Sequence, residues 1–166
     1  MTQVAAELSD ADGVLVQETG AGRFQVEIRT ASGVFLADEP ASVGGGGTGP
    51  NPYELLAAGL GACTVMTLRL YAERKGWPLE RAEVRVLHRR AALADRDRFA
   101  REIALEGDLD EDQRRRLLEI ANRCPVHLTL ERGAEMVTTL VRPEQLEGRD
   151  PLPDSHMRLM AEACED

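Results

Sequence analysis

The sequence predicts an α+β fold, an antiparallel sheet packed on one long central helix, and three observations carry that reading. Short runs with apolar residues at every second position fill the first third, a nearly uncharged helical stretch follows, and two further alternating runs lie beyond it. The first runs are Val14-Leu15-Val16, then Phe24, Val26 and Ile28, then Val34-Phe35-Leu36. Gly20, Gly22 and the turn Ala31-Ser32-Gly33 separate them, as a meander requires. Asp38-Glu39-Pro40 leads into a loop with four consecutive glycines, Gly44 to Gly47, which is expected to be mobile.

Asn51-Pro52-Tyr53-Glu54 marks a helix start. Asparagine caps, proline at the first helical position has no N–H to leave unpaired, and Glu54 stands where it can reach back to the cap. The helix is expected to run to Lys75, roughly 35 Å, with Gly76 as a left-handed cap and Pro78 preventing continuation. From Leu55 to Cys63 it is apolar or small on every side, the mark of a segment buried all round, and Gly59 and Gly61 permit close approach of another backbone.

Val84, Val86 and His88, then Phe99, Arg101, Ile103 and Leu105, read as two strands of a hairpin across the polar stretch Asp95 to Asp97. Asp110-Glu111-Asp112-Gln113 opens a second helix whose apolar positions Leu117, Ile120, Ala121 and Cys124 repeat at three and four, up to Pro125. Met136 to Val141, rich in β-branched residues, is expected to be the last strand. The domain is placed at 1–142, with a charged, loosely packed tail over 143–166.

Composition narrows the function. At 166 residues the chain buries enough surface to fold without disulfides. A formal charge of −9 argues against a nucleic-acid partner, which needs a surplus of Lys and Arg. No membrane partner is expected, since the uncharged run Leu55 to Leu68 is too short to span a bilayer, and Met1 to Asp10 has no secretory signal pattern. A cytoplasmic protein is the expectation. There, Cys63, Cys124 and Cys164 are buried fillers, metal ligands or redox centres rather than a disulfide framework.

A metal set would draw on Cys63, Cys124, His88 and His127, but no pair has a ligand spacing such as Cys-x-x-Cys; no metal or other cofactor is expected. His88 and His127 are read as half-buried residues at a sheet or helix edge, and Cys164 as incidental. Cys124 has two readings. At the end of the second helix, carbonyl dipoles would disfavour its thiolate; if Pro125 instead opens a new helix, Cys124 becomes the cap and the sign reverses.

The segment Asn51-Pro52-Tyr53-Glu54-Leu55-Leu56-Ala57-Ala58-Gly59-Leu60-Gly61-Ala62-Cys63, preceded by the Gly-rich loop and followed by Cys124-Pro125-Val126, resembles the OsmC/Ohr family of osmotically induced and organic hydroperoxide resistance proteins. The resemblance covers roughly Val14 to Val141 and implies an intertwined homodimer with sites at the subunit interface. It implies a thiol peroxidase. Cys63 attacks an organic hydroperoxide and becomes a sulfenic acid, Cys124 condenses with it to a disulfide, and a lipoyl-type dithiol reopens the bond. Cys63 lies about three turns into its helix, beyond much help from that helix's dipole, so a cation is expected to hold it anionic. The resemblance points to Arg23 for that guanidinium, with Arg29 as the fallback, and to Glu54 as its carboxylate, one residue later than the hydroperoxide resistance proteins place the acid. The competing expectations are a non-catalytic dimer binding a small hydrophobic ligand and a thiol redox sensor.

Overall fold

The structure, a computed structural model, describes residues 13–146 and 155–165. The expected absence of a signal at Met1 to Asp10, and the tail residues 147–154, lie outside the described residues. The chain forms two compact units, Met1–Pro52 with Glu135–Ser155, and Tyr53–Ala134 with His156–Asp166.

In the first unit β1 (Leu15–Glu18), β2 (Val26–Thr30) and β3 (Gly33–Ala37) form the expected antiparallel meander. Val16 pairs with Ile28, and Ile28 with Phe35, so alternate residues share a face. The glycine loop is tied at several points to one side chain. It winds around the buried Asp38 carboxylate, which accepts hydrogen bonds from the N–H groups of Glu39 at 2.8 Å and Gly46 at 2.9 Å and from the Thr48 hydroxyl at 3.0 Å. Burial opposes ionisation of Asp38, but those donors, with the Thr48 N–H, hold its carboxyl below the ordinary aspartate range. The glycines serve close approach here: a Cβ on Gly45 would fall 1.8 Å from the Glu39 carbonyl oxygen, and one on Gly49 2.1 Å from that of Leu36.

Met136 to Val141 is not a strand. Its β-branched composition favours a pleated, half-buried surface, and such a preference is realised only against a partner edge. Among the described residues no strand pairs with it, and Met136 and Leu140 stand 85% and 99% exposed.

The second unit is built on α1 (Pro52–Lys75), ended as expected by Gly76 at φ 64°. β4 (Arg81–Arg89) and β5 (Arg98–Glu106) make the hairpin, with Val84 opposite Ile103 and Val86 opposite Arg101. α1 lies close to this sheet at Gly61, where a Cβ would stand in van der Waals contact with Val86 at 3.4 Å. α2 (Glu111–Ala121) starts in a capping box: Asp110 Oδ1 accepts from Gln113 N–H at 2.8 Å, and the Gln113 side chain accepts from Asp110 N–H at 3.0 Å. α3 (Pro125–Arg132) and α4 (Ser155–Ala163) complete the unit.

One core cluster joins Leu68, Tyr71 and Ala72 of α1 to Leu79, Leu109, Leu117, Ile120 and Cys164; the other is Leu60, Cys63 and Cys124, flanked by Val86, Phe99, Val126 and Leu130. By length and composition alone α1 could cross a bilayer. Here it is the core helix of the unit on one side, with Leu60, Cys63, Leu68, Tyr71 and Ala72 buried; Leu56, Ala58, Gly59 and Ala62 are exposed, so the expected burial of Leu55 to Cys63 on every side is not met in the single chain.

The expected loose tail is a correction. Over 155–163 it is helical, with Met160 and Cys164 buried. Arg74 donates to the Ala161 carbonyl at 2.8 Å, Arg123 to that of Glu165 at 3.4 Å, and the Cys164 thiol to that of Thr67 at 3.7 Å. Its apolar residues repeat at helical spacing on one side, which its overall polarity masks.

Candidate active site

Cys63 and Cys124, 61 residues apart in the chain, are neighbours in the fold, both buried in one core cluster, not joined by a disulfide, and close enough for one sulfur to hydrogen-bond the other. The local reason is the helix break at Pro125. Proline cannot extend α2 but suits the first position of a new helix, so Cys124 becomes the N-cap of α3 and its sulfur accepts the His127 N–H at 3.3 Å. The adjacent Val126 N–H points to Cys63 Sγ at 3.5 Å. Both sulfurs therefore sit at the positive end of one short helix, and the second reading of Cys124 is the one the structure contains. Cys63 is indeed remote from the start of α1; its backbone donor comes from α3 instead.

The cation at the pair is Arg101. Its Nη1 donates to Thr64 Oγ1 at 2.9 Å and to the Ala121 carbonyl at 2.7 Å, and its Nη2 to Asn122 Oδ1 at 2.8 Å and His127 Nδ1 at 3.1 Å. A guanidinium only donates, so that His127 nitrogen is an acceptor. Thr64 Oγ1, which donates to the Leu60 carbonyl at 2.7 Å, lies 3.7 Å from Cys124 Sγ.

Two buried sulfurs in contact cannot both be anions, and the pair titrates as a unit. Cys124 is pulled down to about 6: the Cys63 thiol's hydrogen bond is the main cause, and the His127 N–H, Thr64 and the Arg101 charge add to it against burial. Cys63 is pushed well above the ordinary thiol range by the same hydrogen bond, by burial and by the Cys124 charge. The arrangement keeps one negative charge and one proton on the pair near neutral pH. It supplies a nucleophile and a second thiol within reach of it.

One further group touches the pair. His156, in the first turn of α4, places Nε2 3.3 Å from Cys63 Sγ. Arg101 was visible in the sequence as the basic member of an otherwise apolar row, Phe99, Ile103 and Leu105; His156 had no comparable signal, lying in a segment that reads as tail.

The other candidates are placed as follows. Glu54 is exposed in the first turn of α1, and nine residues on along a helix is about half a turn away, so it is not on the side that carries Cys63. Arg23 belongs to the first unit, its guanidinium 4.8 Å from the centroid of the Phe24 ring, and Arg29 pairs there with Glu27 at 2.6 Å. His88 stacks on Tyr53 with ring centroids 4.2 Å apart and bonds Asp97 at 2.7 Å. Among the described residues no three His, Cys, Asp or Glu side chains converge as a metal ion requires. A pocket of about 420 Å³ is walled by Leu60, Phe99, Leu118 and Leu130 and edged by Arg96, Arg101 and His127.

An α+β unit with two mutually hydrogen-bonded buried thiols at a helix start defines a dithiol protein. The chain belongs to the OsmC-like protein family, whose pattern matches residues 44–139. No curated protein matches it significantly. Among solved structures it is similar to an OsmC-like protein of Mycoplasma pneumoniae (18% identity, TM-score 0.61, 72% of this chain and 86% of that one). It is also similar to a Legionella pneumophila protein described as an organic hydroperoxide resistance protein OsmC (22% identity, TM-score 0.56, 72% and 88%). A third is the organic hydroperoxide resistance protein OhrB of Bacillus subtilis (24% identity, TM-score 0.52, 72% and 90%). At these identities the likeness is one of fold.

Proposed function

We propose that the protein is a cysteine-based peroxidase that reduces organic hydroperoxides, alkyl or fatty-acid, in the cytoplasm. The observation that carries this reading is the contact of Cys63 with Cys124 at the N-terminus of α3. The hydroperoxide resistance proteins among the similar folds support the substrate class.

The chemistry closes with the groups present. The proton shared by the sulfurs first passes from Cys63 to Cys124. The Cys63 thiolate then attacks the terminal peroxide oxygen, the O–O bond breaks, sulfur is oxidised to the sulfenic acid, and the departing alkoxide takes the Cys124 proton to leave as the alcohol. The Cys124 thiolate then attacks the Cys63 sulfur, forming the disulfide and expelling hydroxide, which solvent protonates. A dithiol of the lipoyl class returns both thiols. Arg101 is the positive group for this cycle. Arg23 and Glu54 remain proposed activators on the family resemblance alone, and the working unit is proposed to be a homodimer.

A second reading, a binding protein for small apolar ligands, is favoured by the pocket lined by Leu60, Phe99, Leu118 and Leu130. Counting thiols separates the two. Reduced protein treated with cumene hydroperoxide is expected to lose two thiols per chain rapidly, to regain them with dihydrolipoamide, and to do neither after Cys63→Ser. Oxidation no faster than that of a free cysteine would overturn the peroxidase and leave the binding protein.

A further inference from the structure

Each sulfur of the pair receives one N–H from the first turn of α3, Val126 to Cys63 at 3.5 Å and His127 to Cys124 at 3.3 Å. The backbone therefore scarcely distinguishes them, and the remaining groups decide which one holds the proton. The titratable and polar side chains around the pair come from every packed element. Thr64 of α1 and Arg101 of β5 draw charge toward Cys124, and Asn122 and His127 engage Arg101 on the same side. On the other side stand the Thr67 hydroxyl of α1, which favours charge on Cys63, and His156 of α4, 3.3 Å from Cys63 Sγ.

We propose that His156 is a catalytic residue of this chain: by donating its Nε2–H to Cys63 Sγ, it stabilises the form of the pair in which the negative charge has moved to Cys63 and the shared proton to Cys124, against the groups that favour a Cys124 anion at rest. This deepens the peroxidase reading and, as a catalytic role, rests on it. The step is a proton shift along the hydrogen bond between the sulfurs; nothing is oxidised and no proton leaves the pair. In that shifted form Cys63 is the nucleophile and Cys124 carries the proton that the departing alkoxide needs.

The placement of His156 is built rather than incidental. α4 is anchored beyond it by buried Met160 and Cys164, by Arg74 on the Ala161 carbonyl at 2.8 Å and by Arg123 on that of Glu165 at 3.4 Å. A histidine in the first turn of a helix held this way has little freedom to leave the sulfur. The imidazole is half-buried, so the bond is formed with reduced competition from water.

The test is site-resolved labelling of the full-length reduced protein. Wild type and the variants His156→Phe, His156→Gln and His156→Asn are exposed to limiting methyl methanethiosulfonate near neutral pH, and the labelled Cys63 and Cys124 peptides are quantified by mass spectrometry. Phenylalanine keeps the ring without the N–H, glutamine keeps an N–H donor of similar reach, and asparagine is one methylene too short. The Cys63-to-Cys124 labelling ratio is expected to fall about tenfold in the Phe and Asn variants and to stay within about threefold of wild type in the Gln variant, as a charge-assisted hydrogen bond implies. A ratio unchanged in both Phe and Asn, or reduced equally in Gln and Asn, overturns the proposal. The Gln and Asn pair gives the answer even if the Phe variant does not fold. No hydroperoxide enters the measurement, so a protein inert to hydroperoxides but with the expected partition would sink the peroxidase reading and leave the charge-directing contact of His156 established.

Discussion

Arg101 Nη1 donates to Thr64 Oγ1 at 2.9 Å, and Thr64 Oγ1 in turn lies 3.7 Å from Cys124 Sγ, so a strand arginine reaches the thiol pair through one hydroxyl. Arg101→Met removes that charge and leaves the Ala121 carbonyl and the Asn122 amide without their donor. The first ionisation of the pair is expected to move up, though by less than loss of the Cys63 hydrogen bond would move it, with thiol labelling at neutral pH slowed by about threefold or less, and stability is expected to fall by about 1–3 kcal/mol. Arg101→Lys keeps the charge but not the fork of donors, and belongs between the two. Thiolate absorbance followed against pH, with urea unfolding on the same samples, checks this. A titration identical to wild type in the Met variant would remove Arg101 from the site.

The pH dependence of stability has a definite sign for each sulfur. Folded Cys124 ionises near 6, whereas a cysteine in the unfolded chain ionises at about 8.5, so between those values the unfolded chain binds the extra proton and stability rises with pH. That contribution is lost as pH falls through the folded value. Cys63 is shifted the other way, so above the ordinary thiol range the folded state keeps a proton that the unfolded chain has released, and stability declines. The stability difference between wild type and Cys124→Ser should therefore grow from acid to mildly alkaline pH, by up to about 1.4 kcal/mol per unit. Urea unfolding under reducing conditions measures it. A difference independent of pH would mean that the thiols do not share a charge.

Cys124 has two jobs that mutation can separate, capping α3 and meeting Cys63. Serine is a good cap and cannot form the disulfide, so below about pH 6, where the thiolate adds nothing to stability, Cys124→Ser should unfold at nearly the wild-type midpoint, whereas Cys124→Ala should lose about 1 kcal/mol. Catalytically the two should match. Each is expected to consume one equivalent of hydroperoxide and stop at a Cys63 sulfenic acid, trapped by dimedone. Sustained turnover with a dithiol in Cys124→Ser would deny it the resolving role.

Met160 carries the attachment of α4, being 2% exposed. Met160→Ala should cost about 2–3 kcal/mol, as large-to-small changes at fully buried positions do. It should also loosen His156, so that the labelling ratio of Cys63 to Cys124 shifts in the same direction as in His156→Asn. Thermal unfolding and peptide labelling read the two effects. A silent Met160→Ala would mean that the C-terminal helix is not held by its buried face.

Helix starts and stops, and strands buried on one face, were legible in the sequence because each has a local cause: the proline at position 52, the glycine at 76, the Asp110–Gln113 box and the alternation in β4 and β5. The two cysteines stood out by their surroundings. Their contact did not, because no periodicity reports on residues so far apart in the chain. Pro125 was ambiguous for a physical reason: the residue that stops one helix is equally suited to start the next. Arg101 was on the page as an inward-facing arginine, but an inward arginine says only that a partner exists, not which one. His156 was hidden by composition. Charged residues around Met160 and Cys164 give the segment the look of a tail, and only packing reveals which side is buried. Met136 to Val141 failed in the opposite direction, since β propensity states what a segment favours against a neighbour and cannot supply the neighbour.

That segment also bears on assembly. Met136, Val137 and Leu140 are exposed, and α1 presents Ala57, Ala58, Ala62 and Met66, with Val84 and Val86 of β4, around an apolar recess of about 450 Å³. If the proposed homodimer forms, a second copy covers apolar surface of this kind, and a charge introduced there should be costly only in the dimer. Light scattering is expected to give twice the chain mass for wild type. Ala62→Glu on the small-residue face of α1 and Leu140→Asp in the exposed segment are each expected to shift the protein toward the monomer without unfolding it, since Ala62 and Leu140 are exposed in the single chain. A wild-type protein that is monomeric at micromolar concentration would remove the homodimer, and dimers that persist in both variants would place the interface elsewhere.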